Sequence, residues 1–151
     1  MHGGISGLHH GAVNAVDWEA SLAFYRDALG LRLLGTGEAS GPLMEAATGR
    51  PGIRLRWAMF EVGAQHFELI QYLDPPPGPA AGATHDGGAT HLAFKVKDVD
   101  EAYRDLSARG VRFIGTPVRY SDPVPVGGAF AYALDPSGVL LEFIEDVNAV
   151  A

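Results

Sequence analysis

The sequence predicts an α+β fold of two tandem β-α-β-β-β modules, the first over residues 8–74 and the second over 89–147, joined by a linker at 75–88. Three observations carry that expectation. A motif recurs: His10 is followed seven residues later by Asp17, and His91 seven residues later by Asp98. The later parts match too, with Phe67-Glu68-Leu69-Ile70-Gln71 resembling Leu141-Glu142-Phe143-Ile144-Glu145, each behind a turn. Between the copies, Asp74-Pro75-Pro76-Pro77-Gly78-Pro79 can form neither helix nor central strand, because proline fixes φ and lacks a donor.

The elements follow in order. Residues 8–16 read as a strand, and Asp17 as the N-cap of a helix with apolar Leu22, Tyr25 and Leu29 on one side, closed by Gly30. Residues 31–36 and 54–62 read as strands, and Gly63-Ala64 turns the chain into the strand carrying Glu68. The second copy repeats this: strand 90–97, Asp98 as cap with Glu101 completing a capping box, a helix with Val99, Ala102, Tyr103 and Leu106, then Gly110. Strands 111–115 and 129–134 follow, and Asp135-Pro136-Ser137-Gly138 turns into the last strand, which carries Glu142. Two segments, 37–52 and 116–128, read as irregular, the first with a short helix around Leu43–Ala47; loops of that length commonly act as lids or binding loops.

Composition narrows the function. The chain has 151 residues, 47% of them hydrophobic, which suits one compact domain. With 11 Lys and Arg against 18 Asp and Glu, net charge −7, and basic residues scattered, the expectation is no nucleic-acid partner. No apolar run approaches the ~18 residues of a membrane span, and Met1-His2-Gly3-Gly4 lacks the basic opening of a signal peptide, so a soluble cytoplasmic protein with no membrane partner is expected. The absence of Cys leaves His, Asp and Glu as the only metal ligands.

Strand parity then places the chemistry. In 90–97, Leu92, Phe94 and Val96 form the apolar face under the helix, which turns His91 and Ala93 the other way; His10, Ala12 and Asn14 take the same outer face in the first copy. Glu68 and Glu142 sit in closing strands that are apolar on both faces, where a carboxylate is costly unless paired or bound to a cation. Two neutral His and two carboxylates neutralise a divalent ion, so His10, Glu68, His91 and Glu142 are the expected ligands of one Zn, Ni, Co, Fe or Mn. A lone His or Glu in such places is more often structural; four at matching places in a duplicated unit argue otherwise. His9 is the alternative to His10, while His2, His66 and His85 read as solvated. A six-coordinate ion keeps two positions for a substrate with two neighbouring oxygens.

His10…Asp17…Ser21…Phe24-Tyr25…Leu29-Gly30 resembles the opening motif of the vicinal oxygen chelate superfamily, which holds glyoxalase, bleomycin-resistance and extradiol dioxygenase proteins. The likeness continues through Thr90-His91-Leu92-Ala93-Phe94 and Asp135–Glu142. It implies a curved mixed sheet around a metal-binding cleft, with ligands carried onto the same His10, Glu68, His91 and Glu142. The resemblance also implies a homodimer and a small-molecule substrate chelating the metal through two oxygens. In glyoxalase- and epimerase-like members a proton moves beside a carbonyl through a metal-bound enediolate, which makes Glu142, with Glu68 as partner, the expected catalytic carboxylate. Epimerase-like members carry a further acidic residue where this chain has Ile53-Arg54-Leu55-Arg56-Trp57, which argues against methylmalonyl-CoA. The alternative is an extradiol-type Fe(II) dioxygenase using His10, His91 and Glu142 with Tyr132 as acid–base residue; a non-catalytic drug-binding protein comes third. Arg54 and Arg56 could hold a substrate carboxylate or phosphate, though arginines on an edge strand are commonly only solvated. Trp57, Met59 and Tyr132 are expected cleft walls, and the linker is long enough for the halves of one chain to close on each other.

Overall fold

The computed structural model describes Gly4 and residues 6–78, 85–121 and 127–146. The first half runs β1 (His10–Asn14), α1 (Trp18–Ala23), β2 (Arg32–Ser40), α2 (Pro42–Thr48), β3 (Arg54–Val62) and β4 (Gln65–Asp74). The second runs β5 (His91–Lys95), α3 (Val99–Ala108), β6 (Arg112–Phe113), β7 (Val118–Arg119), β8 (Gly128–Leu134) and β9 (Leu140–Asp146). The α+β class and the tandem pattern are as expected, with hydrogen bonding dividing the strands into two sheets, β1-β4-β3-β2 and β5-β9-β8-β6, with β7 also paired to β8. In each sheet the first strand lies parallel to the last, so the helix between them crosses one face.

The expected caps start the helices: Asp17 accepts from the Ala20 N–H and Asp98 from the Glu101 N–H. Beyond Ala23 the first helix widens into a π-turn over Phe24–Ala28 before Gly30 takes φ 71°. The largest departure from the sequence reading is residues 37–40, expected to be irregular, whereas the short helix expected around Leu43–Ala47 is present as α2. β2 continues to Ser40 and α2 follows at once, because strict in–out alternation persists through Gly35 and Gly37. Gly37 can stay in the strand because a Cβ there would fall 2.7 Å from the Trp57 ring, which covers it. The counterpart of β2 in the second half breaks into β6 and β7, which pair with opposite ends of β8. Residues 79–84 of the expected linker, 122–126 of the second irregular segment, and 147, the expected end of the second module, lie outside the described residues.

One apolar core serves both sheets. Val13, Phe60, Phe67 and Leu69 of the first join Ala133, Leu141 and Phe143 of the second, with Tyr25 of the π-turn wholly buried among them. Ala129, Ala131 and Ala133 present a row of methyl groups that leaves room for α3, whose Val99 packs on the first two. A buried polar knot ties the halves together. The carboxylate of Asp135 accepts from the Tyr25 hydroxyl at 2.9 Å and from the Ser137 and Val139 N–H groups at 2.8 Å, while the Ser137 hydroxyl accepts from the Val16 N–H at 3.0 Å.

Candidate functional site

The parallel pairing of first and last strands builds the same constellation twice. Ala12, two residues beyond His10, is in register with Glu68; Ala93, two residues beyond His91, is in register with Glu142. Residues in register share a face, so each His and Glu point together, away from the helix-covered core. His10 Nε2 lies 3.2 Å from Glu68 Oε2, and His91 Nε2 lies 3.0 Å from Glu142 Oε2. Glu142 is the more enclosed carboxylate, its side chain 11% exposed against 20% for Glu68.

The histidines near β1 separate by geometry. It is the His10 ring that meets Glu68, while His9 Nδ1 lies 2.7 Å from His10 Nδ1, so one of the two donates and the Nε2 of His10 is left toward the carboxylate. His66, opposite His10 in β4, is exposed and stacks on His9 at 6.2 Å; His85 is also exposed. His2 lies outside the described residues.

The walls come from neighbouring strands. Met59 is in register with Glu68, and Trp57 with Ile70, which puts both on the pair-bearing face. Tyr132 is in register with Glu142, and its ring meets that of His91 edge-on, centroids 5.9 Å apart. Burial, and then the Glu142 carboxylate, push the Tyr132 phenol above its ordinary pKa, so it stands as a hydrogen-bond donor.

The structure thus brings the four expected ligands together as two pairs, one on each sheet. Among the described residues no three His, Asp or Glu side chains gather closely enough to hold one ion. The donor set nevertheless fits a divalent cation in kind and charge, each pair offering one imidazole nitrogen and one carboxylate oxygen.

Arg54 and Arg56 are engaged elsewhere: Arg54 lies 3.9 Å from Glu38, and Arg56 donates to Gln71 while stacking 4.6 Å over Trp18. Sequence reasoning missed instead a cavity of about 820 Å³ lined by Asn14, Arg50, Tyr72, Thr90 and Leu140 among others. Its walls come from five separate stretches of chain, and the turn Gly49-Arg50-Pro51-Gly52 that supplies Arg50 carries no signal linking it to β1.

Two β-α-β-β-β modules, each presenting a His–Glu pair on its open face, define a two-module protein of the vicinal oxygen chelate kind. A family model for the Glyoxalase/Bleomycin resistance protein/Dioxygenase superfamily matches residues 7–143, and the chain belongs to that superfamily. It is 31% identical over 146 residues to a 2-epi-5-epi-valiolone epimerase of Actinomyces sp, covering 93% of this chain and 80% of that one. Among solved structures, a glyoxalase family protein of Bacillus cereus superposes with TM-score 0.79 at 21% identity, over 95% of each chain. A lactoylglutathione lyase of Agrobacterium tumefaciens superposes with TM-score 0.58 at 25% identity, over 93% of this chain and 94% of that one. No helix among the described residues is long and apolar enough to cross a membrane.

Proposed function

We propose that this protein is a divalent-metal-dependent enzyme of the glyoxalase–epimerase kind that moves a proton at a carbon beside a carbonyl. The observation that carries this is the duplicated His–Glu pair, His10 with Glu68 and His91 with Glu142, at equivalent register positions of the two sheets. These four residues would hold the ion. When bound it supplies Lewis acidity, which lowers the cost of negative charge on a carbonyl oxygen.

The chain's own groups do the rest. Glu142, enclosed and hydrogen-bonded to His91, takes the proton from carbon, and Glu68 returns one from the other side. Tyr132, held protonated beside them, donates to a substrate oxygen. Trp57 and Met59 exclude water from the carbon being deprotonated. The substrate is a small molecule with two neighbouring oxygens, and the epimerase relative supports a hydroxylated ketone as the first to try.

Protein purified without chelator is expected to carry about one divalent ion per chain by elemental analysis, and the variant with both His10→Ala and His91→Ala to carry none. In D₂O, NMR should detect exchange of the α-proton of hydroxylated ketones, slowed by about 10²–10⁴ in Glu142→Gln. A double variant that keeps its metal overturns the ligand assignment.

The ring of Tyr132 against His91 and its register with Glu142 favour one second reading, an Fe(II) dioxygenase with Tyr132 as its acid–base residue. Iron-dependent oxygen uptake with ring opening of a catechol, abolished in Tyr132→Phe, would put that reading first.

A further inference from the structure

The cavity described above belongs to neither pair. None of His10, Glu68, His91 or Glu142 lines it. Its walls are the C-terminal end of β1, the turn after α2, the end of β4 and the chain just before it enters β5, together with the β8–β9 turn, so it lies where the two halves meet. At about 820 Å³ it falls in the range of small-molecule sites and would take a body of sugar size.

Its chemistry is selective. In a chain of net charge −7, no carboxylate side chain among the described residues lines this cavity, and among them one cation does, Arg50. Every salt bridge among the described residues belongs to another base, and Arg50 makes no side-chain hydrogen bond there either. Asn14, Tyr72 and Thr90, on three different segments, likewise spend their side-chain polar atoms on no other described residue. An unpaired guanidinium facing a cavity without counter-charge is matched by an anion, which it can grip with two parallel N–H donors, and the amide and hydroxyls around it suit a hydroxylated body.

We infer that this cavity is a binding site for a small hydroxylated anion, with Arg50 gripping its carboxylate or phosphate and Asn14, Tyr72 and Thr90 bonding its oxygens. The site is independent of the metal reading, since it shares no side chain with the pairs. Binding is measured by calorimetry at low salt with three probes built on a six-carbon hydroxylated skeleton: fructose, fructose 6-phosphate and 2-oxogluconate. At least one anion is expected to bind at least about tenfold more tightly than fructose, and which one does so distinguishes phosphate from carboxylate. That preference is lost in Arg50→Gln, weakened by salt, and kept in the variant carrying both His10→Ala and His91→Ala. Arg50 is exposed, so its replacement leaves the fold intact. The inference fails if neither anion outbinds fructose or if Arg50→Gln holds the anions as wild type does. It fails equally if the preference vanishes in the histidine variant, because the anion would then be sitting on the pairs.

Discussion

His9 sets the ring of its neighbour. With the two Nδ1 atoms 2.7 Å apart, His10 has its rear nitrogen engaged and its Nε2 turned to Glu68. Groups that hold a metal-binding imidazole from behind fix its tautomer and orientation, and losing them typically weakens the metal site 10–100-fold. His9→Ala is therefore expected to weaken metal binding about tenfold, read by competition with a chromophoric chelator, with unchanged circular dichroism. An unchanged affinity would make the contact incidental to an exposed strand start. At this scale the sequence was informative about direction for the histidines, because strand alternation turns His10 and His91 away from the core-facing residues beside them, while Glu68 and Glu142 stood out only as carboxylates in strands apolar on both faces. It was silent on Arg50, whose neighbours across the cavity are remote in sequence.

Elements carry two further consequences. In β2, Gly37 lies directly under Trp57, and an added Cβ would stand 2.7–3.0 Å from three atoms of the indole. Gly37→Ala is expected to swing that ring off its seat on the pair-bearing face, shifting tryptophan emission and raising the KM for substrate more than it lowers kcat. Emission and KM both unmoved would mean the ring does not wall the site. The sequence reading ended this strand at residue 36, because Gly35 and Gly37 so close together look like the start of a loop; only the covering indole makes them compatible with a continuing strand. The β8–β9 turn supplies the other consequence. Burial raises the Asp135 carboxyl above its ordinary range, even though Tyr25 and the backbone N–H groups of Val139, Ser137 and Gly138 pull the other way. A carboxyl that holds its proton more tightly when folded favours the folded state at low pH. Its contribution is complete below the ordinary carboxyl range and declines as pH rises through the raised value. Asn cannot titrate, so the Tm of wild type minus that of Asp135→Asn should fall as pH rises from about 3.5 to 7. A flat difference would show that Asp135 titrates as it does in the unfolded chain. Duplication, caps and turns made this element order legible, whereas the π-turn that brings Tyr25 to Asp135 had no counterpart in the sequence pattern.

At the scale of the whole molecule, the helix-covered faces of both sheets feed one shared core, so the faces carrying the pairs are turned from it. Ala12, Asn14, His91 and Ala93 are exposed on those faces, and no third donor joins either pair among the described residues. The matched spacing within the two halves could reveal that each face has a His and a Glu, but not how the faces stand to one another, since that depends on packing between modules. The linker length favours a site closed by the two halves of one chain; the alternative, a site shared with a second copy, would bring the first-module pair of one chain to the second-module pair of the other. Two-fold symmetry would then make two equivalent sites per dimer. His10→Ala and His91→Ala would each be inactive alone. Co-expressed, half the dimers would be mixed; in a mixed dimer with shared sites one site collects both substitutions and the other neither, so activity would return to about a quarter of wild type. If the sites lie within single chains, as the linker favours, every chain in the mixture has a broken site and nothing returns. Metal content follows the same rule and gives a readout that needs no substrate: about a quarter occupancy in the co-expressed pair for shared sites, and none when each chain must hold its own ion.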